Sequence, residues 1–368
     1  MSKVAQMSDP IIKQINLQLF KLNFRQPIIT SNQSIRSRTG IIIQVIDQFG
    51  NVGWGESSPL AGFGEGIIYT ARSLKRIQKL LIGAAIASLA DISSILASHN
   101  LPPVAKFGIE LALLNLLALN HQKSLAQLLH THYRPSILIN GLIGQVSPEV
   151  AAQQTQQLCA LGYTCLKVKV GDTQDLQRVR AVRSTADAFT RDYRNIKIRI
   201  DANQAWTVSE AIQKLKEFTE LDIEYVEQPV NADNLTGMAE VCNSVEIAIA
   251  ADESVRNMDS LLRVIQTQAA SIVILKPMAL GGILTAKTLA KVAIESGLDV
   301  VFTTTLDSAI AQTGALHLAA MPEIKRACGL GSTLFTDELF TPEEFSRGNK
   351  FKQLLTQEST VVNGEIVI

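Results

Sequence analysis

The chain has 368 residues, with 34 Lys plus Arg balanced by 34 Asp plus Glu, and aromatic residues make up 5% of it. This length exceeds one ordinary domain and suits two domains, or one large barrel with an attachment. A balanced charge without a basic run argues against a nucleic-acid partner and favours a small neutral ligand or a metal-bound anion.

The opening MSKVAQMSDPIIK lacks the uninterrupted apolar core of a signal peptide, and no apolar run is expected to reach the roughly 18 residues of a membrane span, so a soluble cytoplasmic protein is expected. IIKQINLQLFKLNF and TGIIIQVIDQFGNVGWGE read as antiparallel strands joined by a DQFGN turn. A helical stretch follows from about Ile67 to Leu129, broken near Leu101-Pro102-Pro103. Residues 1–133 therefore predict an α+β capping domain with lid loops. Gly55 to Glu65 holds three glycines and a proline around Leu60 and Phe63, a composition that lets a loop fold over a barrel mouth. Arg36 and Arg38, in SIRSRTG, belong to the companion loop, as partners of a substrate carboxylate or as solvated arginines.

From about Ile137 onward, short apolar strands alternate with amphipathic helices: SILIN, TCLKVKV, IKIRIDAN, IEYVEQP, EIAIAADES, SIVILKP, DVVFTTT and ACGLGS. Eight strands at this repeat predict an α/β fold, a (β/α)7β TIM-like barrel over residues 134–334. Ser147 and Pro148 open the first barrel helix and Gly162 ends it; Thr207 and Glu210 form a capping box before Val208, Ala211, Ile212, Leu215 and Phe218 on one helical face. The tail, residues 335–368, is expected to return to the capping domain. Cys159, Cys165, Cys242 and Cys328 are scattered, which suits a reducing compartment and small buried side chains.

LKVKVG places Lys167 and Lys169 on one face of an otherwise apolar strand. Five consecutive strands end in an ionisable residue: Lys169, Asp201, Glu227, Asp252 and Lys276. That carboxyl-terminal rim is where barrels of this class build their sites. Each carboxylate alone would serve as a helix cap or a surface ion pair; three on adjacent strands repel unless a cation sits among them. Hard oxygen ligands suit Mg²⁺, or Mn²⁺, rather than zinc. Lysines on either side of such a cation have their charged forms disfavoured, so one is a candidate general base. His99, His121, His130, His132 and His317 read as surface or packing residues.

KVK, DAN, VEQP, ADES and LKP, in that order on successive strands, resemble the enolase superfamily and its muconate-cycloisomerase-like subgroup, whose lysine bases act beside Mg²⁺. GWGESSPLAGFGE, AKFGIELAL, DANQAW, IAADESVR and CGLGS are most similar to the o-succinylbenzoate synthase family within it. The resemblance implies Asp201, Glu227 and Asp252 as metal ligands, Lys169 as the proton carrier and Lys276 as a cation facing the enediolate. It further implies substrate or shell roles for Lys167, Arg199, Asn203, Thr303 and Gly329, and a small-molecule carboxylate substrate, with no nucleic acid, no membrane and an open oligomeric state. The family reaction dehydrates 2-succinyl-6-hydroxy-2,4-cyclohexadiene-1-carboxylate to o-succinylbenzoate, a step of menaquinone or phylloquinone biosynthesis.

Two positions depart from relatives. Asp307 stands where glutamate is common, and Gly329-Leu330-Gly331 replaces the D-x-D pair of dipeptide epimerases. An N-succinylamino acid racemase, or another racemase or cycloisomerase, uses the same lysines and remains the alternative. A noncatalytic barrel would be expected to lose part of the set, and the set is complete.

Overall fold

The computed structural model describes residues 9–29, 34–61, 65–189, 195–331 and 364–368. In the N-terminal part, β1 (Ile12–Ile29), β2 (Ser34–Asp47) and β3 (Val52–Ser57) form an antiparallel sheet in that order. Asp47 fixes the turn between β2 and β3, its carboxylate accepting from Phe49 N (2.8 Å), Asn51 N (2.9 Å) and Asn51 Nδ2 (2.9 Å). The helical stretch divides into α1 (Ile67–Leu81), α2 (Leu89–Ala97), α3 (Pro103–Asn120) and α4 (Leu125–Leu129). Pro103 occupies the first turn of α3, where its missing N–H costs nothing.

α3 is the keystone of the molecule. One side packs on the sheet so closely that a Cβ at Gly55 would lie 1.9 Å from Gly108 O, and one at Gly53 would lie 2.0 Å from Ala112 O. Only glycine lets the two backbones meet this way. The helix is 18 residues long and apolar enough to cross a membrane by length and composition, which corrects the expectation that no segment reaches that length. Most of it is buried inside the molecule, and an apolar surface all round is what enclosure between a sheet and a barrel demands.

β4 (Ser136–Leu138) leads into the barrel, whose strands are β5 (Gly141–Ile143), β6 (Cys165–Lys169), β7 (Lys197–Asp201), β8 (Ile223–Glu227), β9 (Ile249–Ala251), β10 (Ile272–Leu275) and β11 (Asp299–Phe302). β5 to β11 pair in sequence order as a parallel sheet. Parallel bridges Ile139–Cys328 and Thr303–Gly329 close it, so residues 328–331 take the remaining position. The fold is the expected (β/α)7β barrel with an α+β capping part.

Around the barrel lie α5 (Pro148–Ala160), α6 (Asp175–Phe189), α7 (Val208–Glu217), α8 (Leu235–Ser244), α9 (Met258–Gln266), α10 (Pro277–Leu280), α11 (Ile283–Glu295) and α12 (Ala309–Ala319). Ser147 caps α5, accepting from Val150 N, and Gly162 follows with φ +89°. The Thr207–Glu210 capping box is formed, with Ala211 and Leu215 buried beneath it. His317 is buried, and His130 Nε2 lies 3.0 Å from its carbonyl oxygen, in keeping with packing roles.

The C-terminal tail requires a correction. β12 (Glu365–Val367) pairs antiparallel with β4, and Ser136 Oγ donates to Glu365 Oε2 at 2.6 Å. The described end of the tail thus joins the entry strand of the barrel and not the N-terminal sheet, because β4 keeps a free edge before the barrel begins. Residues 335–363, the rest of that expectation, lie outside the described residues.

Candidate active site

β6, β7 and β8 end together. In the parallel register Lys169 faces Asp201 and Asp201 faces Glu227, while Lys167 sits beside Arg199 one layer down. Asp252 and Lys276 are the first residues beyond β9 and β10. The rim therefore gathers all five strand-end residues read from the sequence, together with Lys167 and Asn203.

Lysines lie among the carboxylates. Lys167 Nζ bridges Glu227 Oε1 (2.6 Å) and Asp201 Oδ2 (2.8 Å). Lys169 Nζ donates to Asp201 Oδ2 (2.6 Å) and to Asn203 Oδ1 (2.6 Å). Across the barrel Lys276 Nζ lies 2.5 Å from Asp252 Oδ2. Asn203, with φ +44°, also donates from Nδ2 to Glu253 Oε1 at 3.2 Å, which fixes the amide that meets Lys169.

Burial and mutual charge divide the titrations. Burial pushes the Asp201 carboxyl up, but the ammonium groups of Lys167 and Lys169 outweigh it and hold that carboxyl well below its ordinary range. Burial and then Asp201 push Glu227 up to about 7, with Lys167 opposing. Burial also raises Asp252, against the pull of Lys276. For Lys276, burial works downward, and Asp252 followed by Glu253 overcomes it, so its cationic form is reinforced.

Among the described residues, no group of three or more His, Cys, Asp or Glu side chains is gathered closely enough to hold a metal ion. The three carboxylates are turned onto the lysines instead. The donor set still fits a hard divalent cation: three buried carboxylates end adjacent strands, and Glu227 is forced toward protonation without more positive charge.

Other expected residues separate into three outcomes. Arg199 is buried one layer below, pairing with Glu224 Oε2 (2.5 Å), donating to Ala327 O (2.6 Å) and stacking 4.7 Å from the Tyr225 ring centroid. It does not reach the rim ligands, because Glu224 and Ala327 O hold its guanidinium, whereas Lys167 at the same register level extends to Asp201 and Glu227. Thr303 and Gly329 meet at the barrel seam, where Thr303 Oγ1 donates to Gly329 O at 3.1 Å. Arg36 is exposed. Arg38 is neither solvated nor free for a ligand: buried, it donates to Leu306 O (3.0 Å), Pro59 O (2.7 Å) and Ser58 O (2.5 Å). It thereby ties β2 to the stem of the Gly55–Glu65 loop and to the loop after β11; residues 62–64 of the lid expectation lie outside the described residues.

Three positions that shape the surroundings of the site are not singled out in the sequence. Gln228, at φ +39° after Glu227, accepts from Asp252 N (3.0 Å) and Ser254 N (3.2 Å), so it shapes the turn that carries Asp252. Its place inside VEQP was the available signal. Glu56 and Glu110 of the capping part each reach a barrel helix, and nothing local in the sequence marks that.

Residues 149–357 match the family described as enolase C-terminal domain-like, and residues 12–116 match the N-terminal domain of MenC. An L-Ala-D/L-Glu epimerase of Clostridium acetobutylicum is 31% identical over 85% of this chain and 88% of its own length. An o-succinylbenzoate synthase of Thermobifida fusca is 36% identical over 54% of this chain and 60% of its own. The structure of a dipeptide epimerase from Enterococcus faecalis, complexed with Mg and the dipeptide L-Leu-L-Tyr, superposes with a TM-score of 0.83 at 28% identity, covering 90% of this chain and 93% of that one.

Proposed function

Since the chain belongs to the enolase superfamily, we propose that it is a Mg²⁺-dependent lyase that dehydrates 2-succinyl-6-hydroxy-2,4-cyclohexadiene-1-carboxylate to o-succinylbenzoate. The observation that carries this reading is the asymmetry of the two lysines. Lys276 pairs with Asp252 and is reinforced as a cation, whereas Lys169 shares Asp201 with Lys167 and leans on a neutral amide, Asn203. A dehydration on one face needs such a division: one proton carrier and one standing positive charge. The match of residues 12–116 to the MenC N-terminal domain and the Thermobifida relative support the same reaction.

In this reading Asp201, Glu227 and Asp252 hold Mg²⁺, which when bound supplies positive charge beside the substrate carboxylate. Acting as the neutral amine, with its own proton already released, Lys169 Nζ takes the α-proton as the C–H bond breaks, and the electron pair moves toward the carboxylate. The Lys276 ammonium faces that developing charge. Lys169 then returns the proton to the departing hydroxyl; the C–O bond breaks, water leaves and the ring becomes aromatic. Lys167 holds Asp201 ionised and opposes the protonation of Glu227, and Asn203 aims Lys169. Thr303 and Gly329, at the seam, are assigned to the succinyl arm.

A second reading, an epimerase or racemase on the same lysines, is favoured by the epimerase relative that spans most of the chain. Against dipeptides stands the seam itself: Gly329-Leu330-Gly331 offers no carboxylate for a substrate ammonium. Incubation of the purified protein with Mg²⁺ and the cyclohexadiene, followed by product absorbance, decides between them. Absence of product together with brisk racemisation of N-succinyl amino acids would falsify the lyase assignment.

A further inference from the structure

α3 carries Pro103, Lys106 and Glu110 at helical spacing, and all three meet the stretch that follows Lys276. A Cβ on Gly281 would lie 3.2 Å from Pro103 Cα, and Lys106 Nζ is 3.5 Å from Thr285 Oγ1. Glu110 Oε2 accepts from Leu284 N at 3.2 Å, across 174 residues of sequence. The turn between is tight: Leu280 N donates to Lys276 O (3.0 Å) and Gly282 N to Pro277 O (3.0 Å).

α11 has no cap of its own. Its N-cap residue is Gly282, with φ +146° and no side-chain acceptor, and a Cβ there would lie 2.5 Å from Glu110 Oε2. A local Ser, Asp or Asn would be the ordinary solution. Here the acceptor comes from the capping part, on a carboxyl that is 2% exposed and pushed up to about 7, by burial first, with the amide bonds of Leu284 and the charge of Lys106 opposing. Burying an ionisable group is costly unless hydrogen bonds compensate it, and here the Leu284 amide supplies one.

We infer that Glu110 is a positioning residue for Lys276: by closing the N-terminus of α11 it fixes the turn from Pro277 to Leu284, so that docking of the capping part and placement of this lysine are one event. The inference rests on Lys276 acting on the reacting carboxylate, as in the proposed function.

Two variants of equal bulk separate the acceptor from the volume. Glu110→Met fills the space without accepting a hydrogen bond, and Glu110→Gln keeps an acceptor oxygen. With whichever substrate the wild type turns over, Glu110→Met is expected to lower kcat on the order of 10- to 100-fold with KM changed less than about 3-fold. Amide exchange across 281–286 should quicken while β6 to β8 stay protected, and Glu110→Gln should restore both. Wild-type kcat and wild-type protection in Glu110→Met would overturn the inference, as would exchange that quickens evenly along the whole chain. If the wild type racemises N-succinyl amino acids in place of dehydrating the cyclohexadiene, the lyase reading fails while the Glu110 comparison is still read in that reaction. If it turns over neither, local exchange at 281–286 decides alone.

Discussion

Lys169 and Asp201 are direct register partners across β6 and β7, and the Lys169 ammonium lies 2.6 Å from Asp201 Oδ2. Asp201 also holds Lys167 at 2.8 Å, so it does not depend on Lys169 for its charge. Removing Lys169 therefore deletes the proton carrier and leaves a compensated carboxylate. Lys169→Ala is expected to lose roughly 10²- to 10⁴-fold in kcat. Its circular dichroism and melting temperature should stay near those of the wild type, and its calorimetric Mg²⁺ affinity should not fall, because a positive charge beside Asp201 is gone. Near-normal turnover would assign the base elsewhere.

On the other side of the barrel, Lys276 lies 2.5 Å from Asp252 and so competes for the carboxylate that would face a metal ion. Two consequences of opposite sign follow for Lys276→Met. Mg²⁺ should bind more tightly, because one competing positive charge is gone. Turnover should fall about 10²- to 10³-fold, because the charge opposite the developing anion is lost. Calorimetry read beside kcat tests both, and weaker Mg²⁺ binding would contradict the competition argument.

Metal removal gives a third test. The carboxylates of Asp201, Glu227 and Asp252 end adjacent strands, and Glu227 is driven toward protonation when burial and Asp201 act on it. Turnover should vanish in excess chelator and return with Mg²⁺. Asp252→Asn should raise the Mg²⁺ concentration needed for half-maximal rate by about tenfold or more, at the scale of one lost charge-assisted contact. Full activity in chelator would remove the metal from the site.

Glu56, on β3 of the capping sheet, is the counterpart of Glu110. Its carboxylate accepts from Ser308 N (3.0 Å), Ala311 N (3.1 Å), Ser58 Oγ (2.6 Å) and Ser308 Oγ, and so closes the N-terminus of α12 from the capping sheet. Glu56→Ala leaves these donors buried without an acceptor. The expected loss is about 3 kcal/mol or more, seen as a lower denaturant midpoint, with Glu56→Gln recovering part of it. An unchanged midpoint would mean that water replaces the carboxylate freely.

The legible part of this protein was the part governed by local rules. Strand period, helix caps and the charge that ends each strand gave the barrel and placed Lys169, Asp201, Glu227, Asp252 and Lys276 on one rim. Parity correctly turned Arg199 inward but carried no information on depth, and depth decides that it meets Glu224 and Tyr225. Arg38, Glu56 and Glu110 were illegible for a different reason. Their partners in the barrel part, Leu306, Ser308 and Leu284, lie 268, 252 and 174 residues away, so no spacing in the chain foretells those contacts. The same holds for β12, whose pairing with β4 joins the two ends of the barrel domain.

The last expectation concerns pH. Asp307 is buried beside Glu56 and Arg38, and its carboxyl is pushed from 3.8 up to about 7, by burial first and Glu56 second, while Arg38 and the hydrogen bonds from Thr305 N (3.1 Å) and Thr305 Oγ1 (2.5 Å) oppose. The folded protein thus keeps a proton that the unfolded chain has released. Stability from this group is complete below the unfolded pKa and is lost as pH rises through the folded one, so it declines between roughly pH 4 and pH 7. Asp307→Asn keeps an acceptor for Thr305 N and cannot ionise. Relative to the wild type, this variant should therefore gain stability with rising pH, by about 2 to 3 kcal/mol between pH 5 and pH 8. Urea midpoints of both proteins at the two pH values measure the difference. A difference that does not change with pH would show that Asp307 is ionised in the folded protein throughout.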